Sequence, residues 1–457
     1  MYDISFTRNR RWFLEHSAAV LGSWAVAPAF THLKISSSAN QIRLAEVRDE
    51  STGLSLLRLP PGFRYWSYSW TGDLLSDGRP VPGQHDGMGI IAERDGVLTI
   101  CRNHEVSGCN GAFGERSLTY DPRAGGGCVN LRFDTRNKQW LSAVCSLSGT
   151  LKNCAGGPTP WGSWLSCEET VFQGGDQDDD VLLTLERPHG YIFEVSAVGN
   201  QPPAPLTDMG RFVHEAVAVD PSTGIVYETE DRKPAGFYRF LPAVPGELKG
   251  GGRLQMMRVA GRPDLIRKAV KGCRYDVDWV SIDDPSRAHS PGTHDEGGVF
   301  SQGHVQGATS FQKLEGCWWG DGRCYFVASH GGRSGKGQVW AYSPADETLQ
   351  LIFESPGSDV LDCPDNLCVS PRGGLLLCED GDRVPQKLQV LSPDGQLSEF
   401  AENNVVLAGE RNGLSGNFRG SEWAGATFSS DGEWLFVNIQ DPGITFAVTG
   451  DWASIGL

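Results

Sequence analysis

Helical periodicity is nearly missing from this chain of 457 residues, where hardly a stretch keeps its apolar residues on one helical face for three turns. That sets helical folds aside. Basic residues are also in short supply: 40 Lys and Arg stand against 56 Asp and Glu, a net charge of −16 that argues against nucleic acid as a partner and favours bound cations. No apolar run near the N-terminus reaches the roughly 20 residues of a membrane span, so no stable span is expected after processing. The twelve cysteines contain no C-x-x-C or C-x-x-C-H spacing, which removes the usual structural zinc site and covalently attached haem. What is plentiful is glycine, at 58, and tryptophan, at 14, among short apolar runs separated by Gly, Pro and Asp turns. This is the composition of an all-β chain.

Residues 1–29 read as a twin-arginine export signal: Arg10-Arg11 precedes Trp12-Phe13-Leu14, a mildly apolar stretch follows from Ala18 to Ala27, and Ala27-Pro28-Ala29 fits a small-x-small cleavage site. The other reading is an N-terminal anchor, for which the apolar stretch is too short. Export predicts a periplasmic or secreted protein, the twin-arginine translocase as a partner during export, and a metal loaded before the folded chain crosses. Cys317 with Cys324, and Cys368 with Cys378, flank tight turns and are candidate disulfides.

Residues 40–457 read as one repetitive domain. Six apolar hairpins run Asp86 to Glu105, Asn153 to Glu169, Glu215 to Asp231, Glu315 to His330, Asp365 to Asp380 and Glu422 to Gln440, each beginning and ending on polar residues. The fifth goes from Asp365-Asn366 through LCVS, the turn PRGG and LLLC to Glu379-Asp380. Antiparallel pairing brings first and last residues together, so all six polar ends are expected at one opening. A hairpin plus two outer strands makes a four-stranded blade, and six blades fit the length, giving a six-bladed β-propeller with a metal site in its central channel. Strands at Leu54–Phe63 and Tyr65–Trp70 are expected to complete the last blade. The stretch 261–306 breaks the rhythm and reads as an inserted loop with a helical turn at Asp264–Val270.

Glu168, Glu215, Glu315, Asp365 and Glu422 sit at like positions in successive units and are candidate metal ligands, as is Glu105 in Asn103-His104-Glu105. Like charges around an axis repel unless cations neutralise them, and hard oxygen ligands suit Ca2+ or Fe3+. Asn103 is a candidate donor to an anionic substrate. His214 and His330 read more readily as structural strand-end residues. Cys128 and Cys154 are each placed near the opening, where a thiolate binds a redox-capable metal.

The stretch NCAGGPTPWGSWLSCEE from Asn153, with NHE at Asn103, GRFVHEAVAVDPSTG at Gly210, LEG at Leu314, PDN at Pro364, SEWAGATFSSDG at Ser421 and LFVNIQDPG at Leu435, resembles the PhoX-type alkaline phosphatases over nearly all of the chain beyond the signal. The resemblance implies a propeller holding iron and calcium and releasing phosphate from organic phosphoesters, mono- and possibly diesters. It makes the blade-opening acids metal ligands, Asn103 a phosphate contact and Cys128 the iron thiolate. It also implies an Arg two positions before Glu215, where Val213 stands, leaving Arg211 as the substitute. Two other functions fit a propeller: a calcium-dependent lactonase, and a calcium-stabilised binding protein without activity.

Overall fold

Asp-Gly turns set the hairpin registers from the inside of the sequence outward. Asp95-Gly96 and Asp321-Gly322 form two-residue loops between the pairs Arg94–Val97 and Gly320–Arg323, and their φ values of 54°, 79°, 49° and 71° are the type I′ geometry that Asp-Gly favours. The structure, a computed structural model, describes residues 43–178, 181–198 and 201–457, so the expected export signal at 1–29 lies outside the described residues. Residues 42–457 cluster as one unit, all-β and propeller-like.

Each predicted hairpin is present. The pairs are His85–Arg94 with Val97–His104, Asn153–Pro158 with Ser163–Glu168, His214–Val219 with Val226–Glu230, Leu314–Gly320 with Arg323–Ala328, Pro364–Val369 with Leu375–Glu379, and Trp423–Phe428 with Leu435–Ile439. The first strand of each packs beside the first strand of the next, and that of the sixth returns to that of the first. These inner strands come very close. A Cβ at Gly87 would stand 2.5 Å from Ala155 Cα, and one at Gly316 would stand 2.7 Å from the Asp365 carbonyl, so the inner wall tolerates no side chain at either position.

Outer strands add to each hairpin, and the chain start closes two sheets: Arg64–Tyr68 pairs with Ile444–Thr449, and Leu57–Leu59 pairs with Leu397–Asn403. That tie joins N- and C-terminal segments and covers strand edges. Between consecutive sheets lie apolar layers, such as Tyr227 and Phe237 against Phe326 and Trp340, or Phe133 against Trp434 and Phe436. Burying each large apolar side chain stabilises by about 1.5–3 kcal/mol. Cys317 and Cys324 approach to 3.2 Å between sulfurs as free thiols, and Cys368 and Cys378 are likewise free.

The segment 261–306 is more than the expected loop. It contains the strand Arg274–Ser281, which pairs with Gly252–Val259 on one side and Thr348–Glu354 on the other and so fuses the third and fourth hairpins into one nine-stranded sheet. Tyr275, Val277 and Val280 are its buried residues, a near-alternation that the acidic flanks disguised. Its helix is Gly298–His304, and only a turn occurs at 264–270.

Candidate metal centre

The same backbone irregularity recurs at the opening end of every hairpin. Register slips between His85 and Met88, Asn153 and Gly156, His214 and Val217, Leu314 and Cys317, Pro364 and Leu367, and Ala424 and Thr427, so two residues on the first strand face one on the second. Such a bulge re-aims a side chain. Its first residue is in turn Asp86, Cys154, Glu215, Glu315, Asp365 and Gly425, five ligand-type side chains and one glycine.

A second equivalence comes from the returning strand. Backbone N–H groups of Glu105, Glu169, Asp231, Ser329, Asp380 and Gln440 donate to the carbonyls of Gln84, Lys152, Val213, Lys313, Cys363 and Glu422, at 2.8–3.3 Å. The donors make a return position and the acceptors a lead position, one of each per hairpin. In the sixth hairpin the acid comes from the lead position, as Glu422, where the bulge carries only Gly425.

Side chains from these positions in all six hairpins, nine carboxylates with the Cys154 thiol and the Lys313 ammonium, line a cleft of about 110 Å³. Roughly 10–15 Å³ holds one water, so several ions fit. Two groups bring their ligand atoms within 4.8 Å of one another: Cys154, Glu169 and Glu215, and then Glu215, Glu315 and Asp365. Glu215 belongs to both. Neutral neighbours orient the acids, with Ser329 Oγ donating to Glu315 Oε1 at 2.6 Å and Gln440 Nε2 donating to Glu105 Oε2 at 2.8 Å and Asp86 Oδ2 at 3.3 Å.

Burial, followed by the neighbouring carboxylates, pushes the acids up. Glu215 is raised well above the ordinary range by burial and then by Asp365 and Glu315, and Asp365 reaches about 7 through burial and Asp380. Asp86, Glu169, Glu315 and Glu422 are raised by the same combination. Burial raises Cys154 as well, followed by Glu215 and Glu169. Burial would lower Lys313, but the charges of Glu315 and Asp231 outweigh it and hold the ammonium. So many acids crowded around one ammonium repel one another and do not all ionise unless cations join them. The donor set fits multivalent metal.

Five of the expected ligands, Glu105, Glu215, Glu315, Asp365 and Glu422, line this cleft. Four expected site residues lie elsewhere. Glu168 pairs with Asn153 and faces back into the sheet, because neighbours along a strand point to opposite sides. There it accepts from the backbone N–H groups of Leu151, Gly190 and Tyr191 and meets His189 Nδ1 at 2.6 Å, and Glu169 takes the place at the cleft. Cys128 lies on the strand third from the cleft in its sheet, where its thiol donates to Asn103 Oδ1 at 3.1 Å, and Cys154 is the thiol that lines the cleft. Asn103 is fully occupied, donating to the carbonyls of Ala155 at 2.7 Å and Cys154 at 3.2 Å and accepting from Trp164 and Ser166, each at 2.9 Å. It braces the backbone that carries Cys154. Arg211 is buried and donates to the carbonyls of His189 and Val171, each at 2.9 Å.

Asp86, Glu169, Asp231 and Asp380 were within reach of the sequence, since Asp86 opens and the other three close predicted hairpins. Lys313 was not singled out, though it stands two residues before Glu315 as Lys152 stands two before Cys154. His214 is buried and lowered to about 3 by burial, and His330 contacts Ser329 Oγ at 3.0 Å, which keeps both in structural surroundings.

A family model described as alkaline phosphatase PhoX matches residues 136–443. No curated protein matches the chain. Among solved structures, Pseudomonas fluorescens PhoX in complex with vanadate, a transition state analogue, aligns at a TM-score of 0.62 and 16% identity, covering 90% of this chain and 98% of that one. A gluconolactonase from Xanthomonas campestris aligns at a TM-score of 0.42 and 12% identity, covering 89% and 98%. At these identities the likeness concerns the fold.

Proposed function

This chain belongs to the PhoX family of alkaline phosphatases, and from that membership we propose a six-bladed propeller that hydrolyses small phosphomonoesters, and secondarily phosphodiesters, with iron and calcium in the central cleft. The observation that carries the metal reading is the gathering of nine carboxylates from all six hairpins around one ammonium. The two donor groups differ in character. Cys154, Glu169 and Glu215 mix sulfur with oxygen and suit Fe3+, while Glu215, Glu315 and Asp365 offer oxygen alone and suit Ca2+. The blade count is supported by a bulge in each of six hairpins, the sixth set one residue further along, and by six equivalent return positions.

Bound cations supply neutralisation of the charge on the phosphoryl oxygens and polarisation of the attacking water. The chain's own residues hold and orient them. Glu215 bridges the two donor groups, Ser329 and Gln440 fix the carboxylates of Glu315, Glu105 and Asp86, and Asn103 fixes the backbone under Cys154. A lactonase or a binding propeller calls for few acids and no thiol, so the cleft favours the phosphatase. The Arg10-Arg11 pattern supports twin-arginine export to the periplasm or beyond.

The test is elemental analysis of protein exported by its own signal, paired with turnover of a chromogenic phosphomonoester with and without chelator. Iron with calcium and chelator-sensitive turnover is expected. Calcium alone with lactone hydrolysis, or calcium without any turnover, would replace this reading with one of the other two.

A further inference from the structure

A bulge aims a ligand but takes its peptide groups out of the ladder, so a carbonyl at the bulge needs another donor. At three of the hairpins around the cleft that donor is a side chain of the hairpin before. Along each returning strand the residue two before the return position lies on the same face, one step further from the opening. In the first, third and sixth hairpins it is Asn103, Thr229 and Asn438, all three fully buried. Asn103 holds the carbonyls of Cys154 and Ala155 in the second hairpin. Asn438 Nδ2 donates to the Asp86 carbonyl in the first hairpin at 2.5 Å. Its Oδ1 accepts from Thr445 Oγ1 at 2.6 Å, and Thr445 Oγ1 accepts from buried Arg102 Nη1 at 2.6 Å, which fixes the amide in this orientation.

Thr229 grips both sides of its seam. Its hydroxyl accepts from the Ala216 N–H at 3.0 Å and donates to the Glu315 carbonyl at 2.7 Å. Ala216 follows Glu215 in the bulge of the third hairpin, and Glu315 opens the bulge of the fourth. One hydroxyl therefore joins the bulges that carry Glu215 and Glu315, two of the three acids in the group that offers oxygen alone. Val327 stands at the same position in the fourth hairpin, buried and without a side-chain hydrogen-bonding atom. A strand of this kind thus folds without a hydroxyl there, and the two bonds of Thr229 point to a task at the bulges.

We propose that Thr229 is a positioning residue for the metal ion held by Glu215, Glu315 and Asp365, one of three side chains, with Asn103 and Asn438, through which a hairpin sets the ligand bulge of the next. This rests on the metal reading of the cleft. It differs from a packing role, in which Thr229 would only fill the layer beneath the cleft.

The experiment uses the exported protein stripped of calcium, as wild type and as Thr229→Val, Thr229→Ser and Val327→Ala. Calcium affinity is measured by competition with a chromophoric chelator, and thermal unfolding is followed without calcium and at one fixed calcium concentration. Thr229→Val should weaken calcium binding about tenfold to a hundredfold, as loss of a group that orients a ligand does, and the stabilisation that calcium confers should shrink with it. Thr229→Ser keeps the hydroxyl and should recover most of the affinity. Val327→Ala should lower the unfolding temperature equally with and without calcium and leave the affinity unchanged, as a lost packing contact does. If Thr229→Val does not fold, Thr229→Ala is read in its place. Wild-type affinity in that variant overturns the inference, and so does a loss that Val327→Ala reproduces or that Thr229→Ser fails to recover. Wild-type protein that binds no calcium overturns the metal reading and the inference together. Calcium binding that depends on the Thr229 hydroxyl, in a protein that hydrolyses no phosphoester, supports the inference and overturns the phosphatase reading alone.

Discussion

Glu168 and Glu169 are adjacent, one buried and the other half-buried at the cleft, and put to opposite uses. Glu168 is surrounded by donors: three backbone N–H groups and His189, whose Nε2 lies 3.4 Å from Asp121 on its far side. Glu169 is surrounded by acids, and burial followed by Glu105 and Asp231 drives it well above the ordinary carboxylate range. Both are drawn out of bulk water; the partners differ. The alternation recurs, since Glu230 beside Asp231 accepts from Gly236 N–H and Tyr238 Oη, and Glu379 beside Asp380 accepts from Asp362 N–H and Gln389. One carboxylate of each pair anchors the sheet and the other is left for a cation.

The largest expected effect separates these classes. Glu215→Gln, which removes the ligand common to both donor groups, should lose metal and about a hundredfold or more in turnover while circular dichroism of the sheet is retained. Glu168→Gln should do the reverse, destabilising by roughly 3–5 kcal/mol in thermal or denaturant unfolding because buried His189 loses the nearer of its two carboxylate partners, with metal content of the folded protein kept. Full turnover and full metal in Glu215→Gln would dissolve the distinction. Next in size is the thiol pair. Cys154→Ser should remove a thiolate-to-iron absorption band and most activity, whereas Cys128→Ser keeps a donor to Asn103, a hydroxyl in place of the thiol, and should change stability by no more than about 1 kcal/mol. Loss of the band in Cys128→Ser alone would return the thiolate to the outer strand.

The sequence carried the repeat, the hairpins and the opening they share, because apolar alternation and Asp-Gly turns are local signals. It also carried most of the acids, as the first and last residues of the hairpins. It did not carry parity. Whether Glu168 or Glu169 faces the cleft depends on the register with Asn153 and the bulge that follows it, and two adjacent acids look alike in one dimension. Nor did it carry radial order: Cys128 is the nearer of the two cysteines to the NHE run along the chain, yet its strand is third from the cleft, while Cys154 lines it. Arg211 stands near Glu215 in sequence but reaches into the loop after the second hairpin, a contact that no local pattern encodes.

The smallest expected effect is a difference in pH response between the two carboxylate environments, read in protein stripped of metal. Asp365 is raised to about 7 in the folded chain against about 3.9 when unfolded. As pH rises from about 4 to about 7 the unfolded state releases a proton that the folded cleft keeps, so the stability of the stripped protein falls across that window, on the order of a few kcal/mol for this group. His189 behaves differently: burial would lower it, but Glu168 and Asp121 outweigh burial and raise it to about 9. Its contribution is complete below about 6.5 and is lost as pH rises through about 9. Thermal unfolding in chelator should therefore weaken first between pH 4.5 and 7, then again toward pH 9, and added cations should abolish the first decline while leaving the second. Chelated protein that gains stability from pH 4.5 to 7 would show that the cleft carboxylates ionise freely without metal, and the contrast between Glu168 and Glu169 would then lose its electrostatic basis.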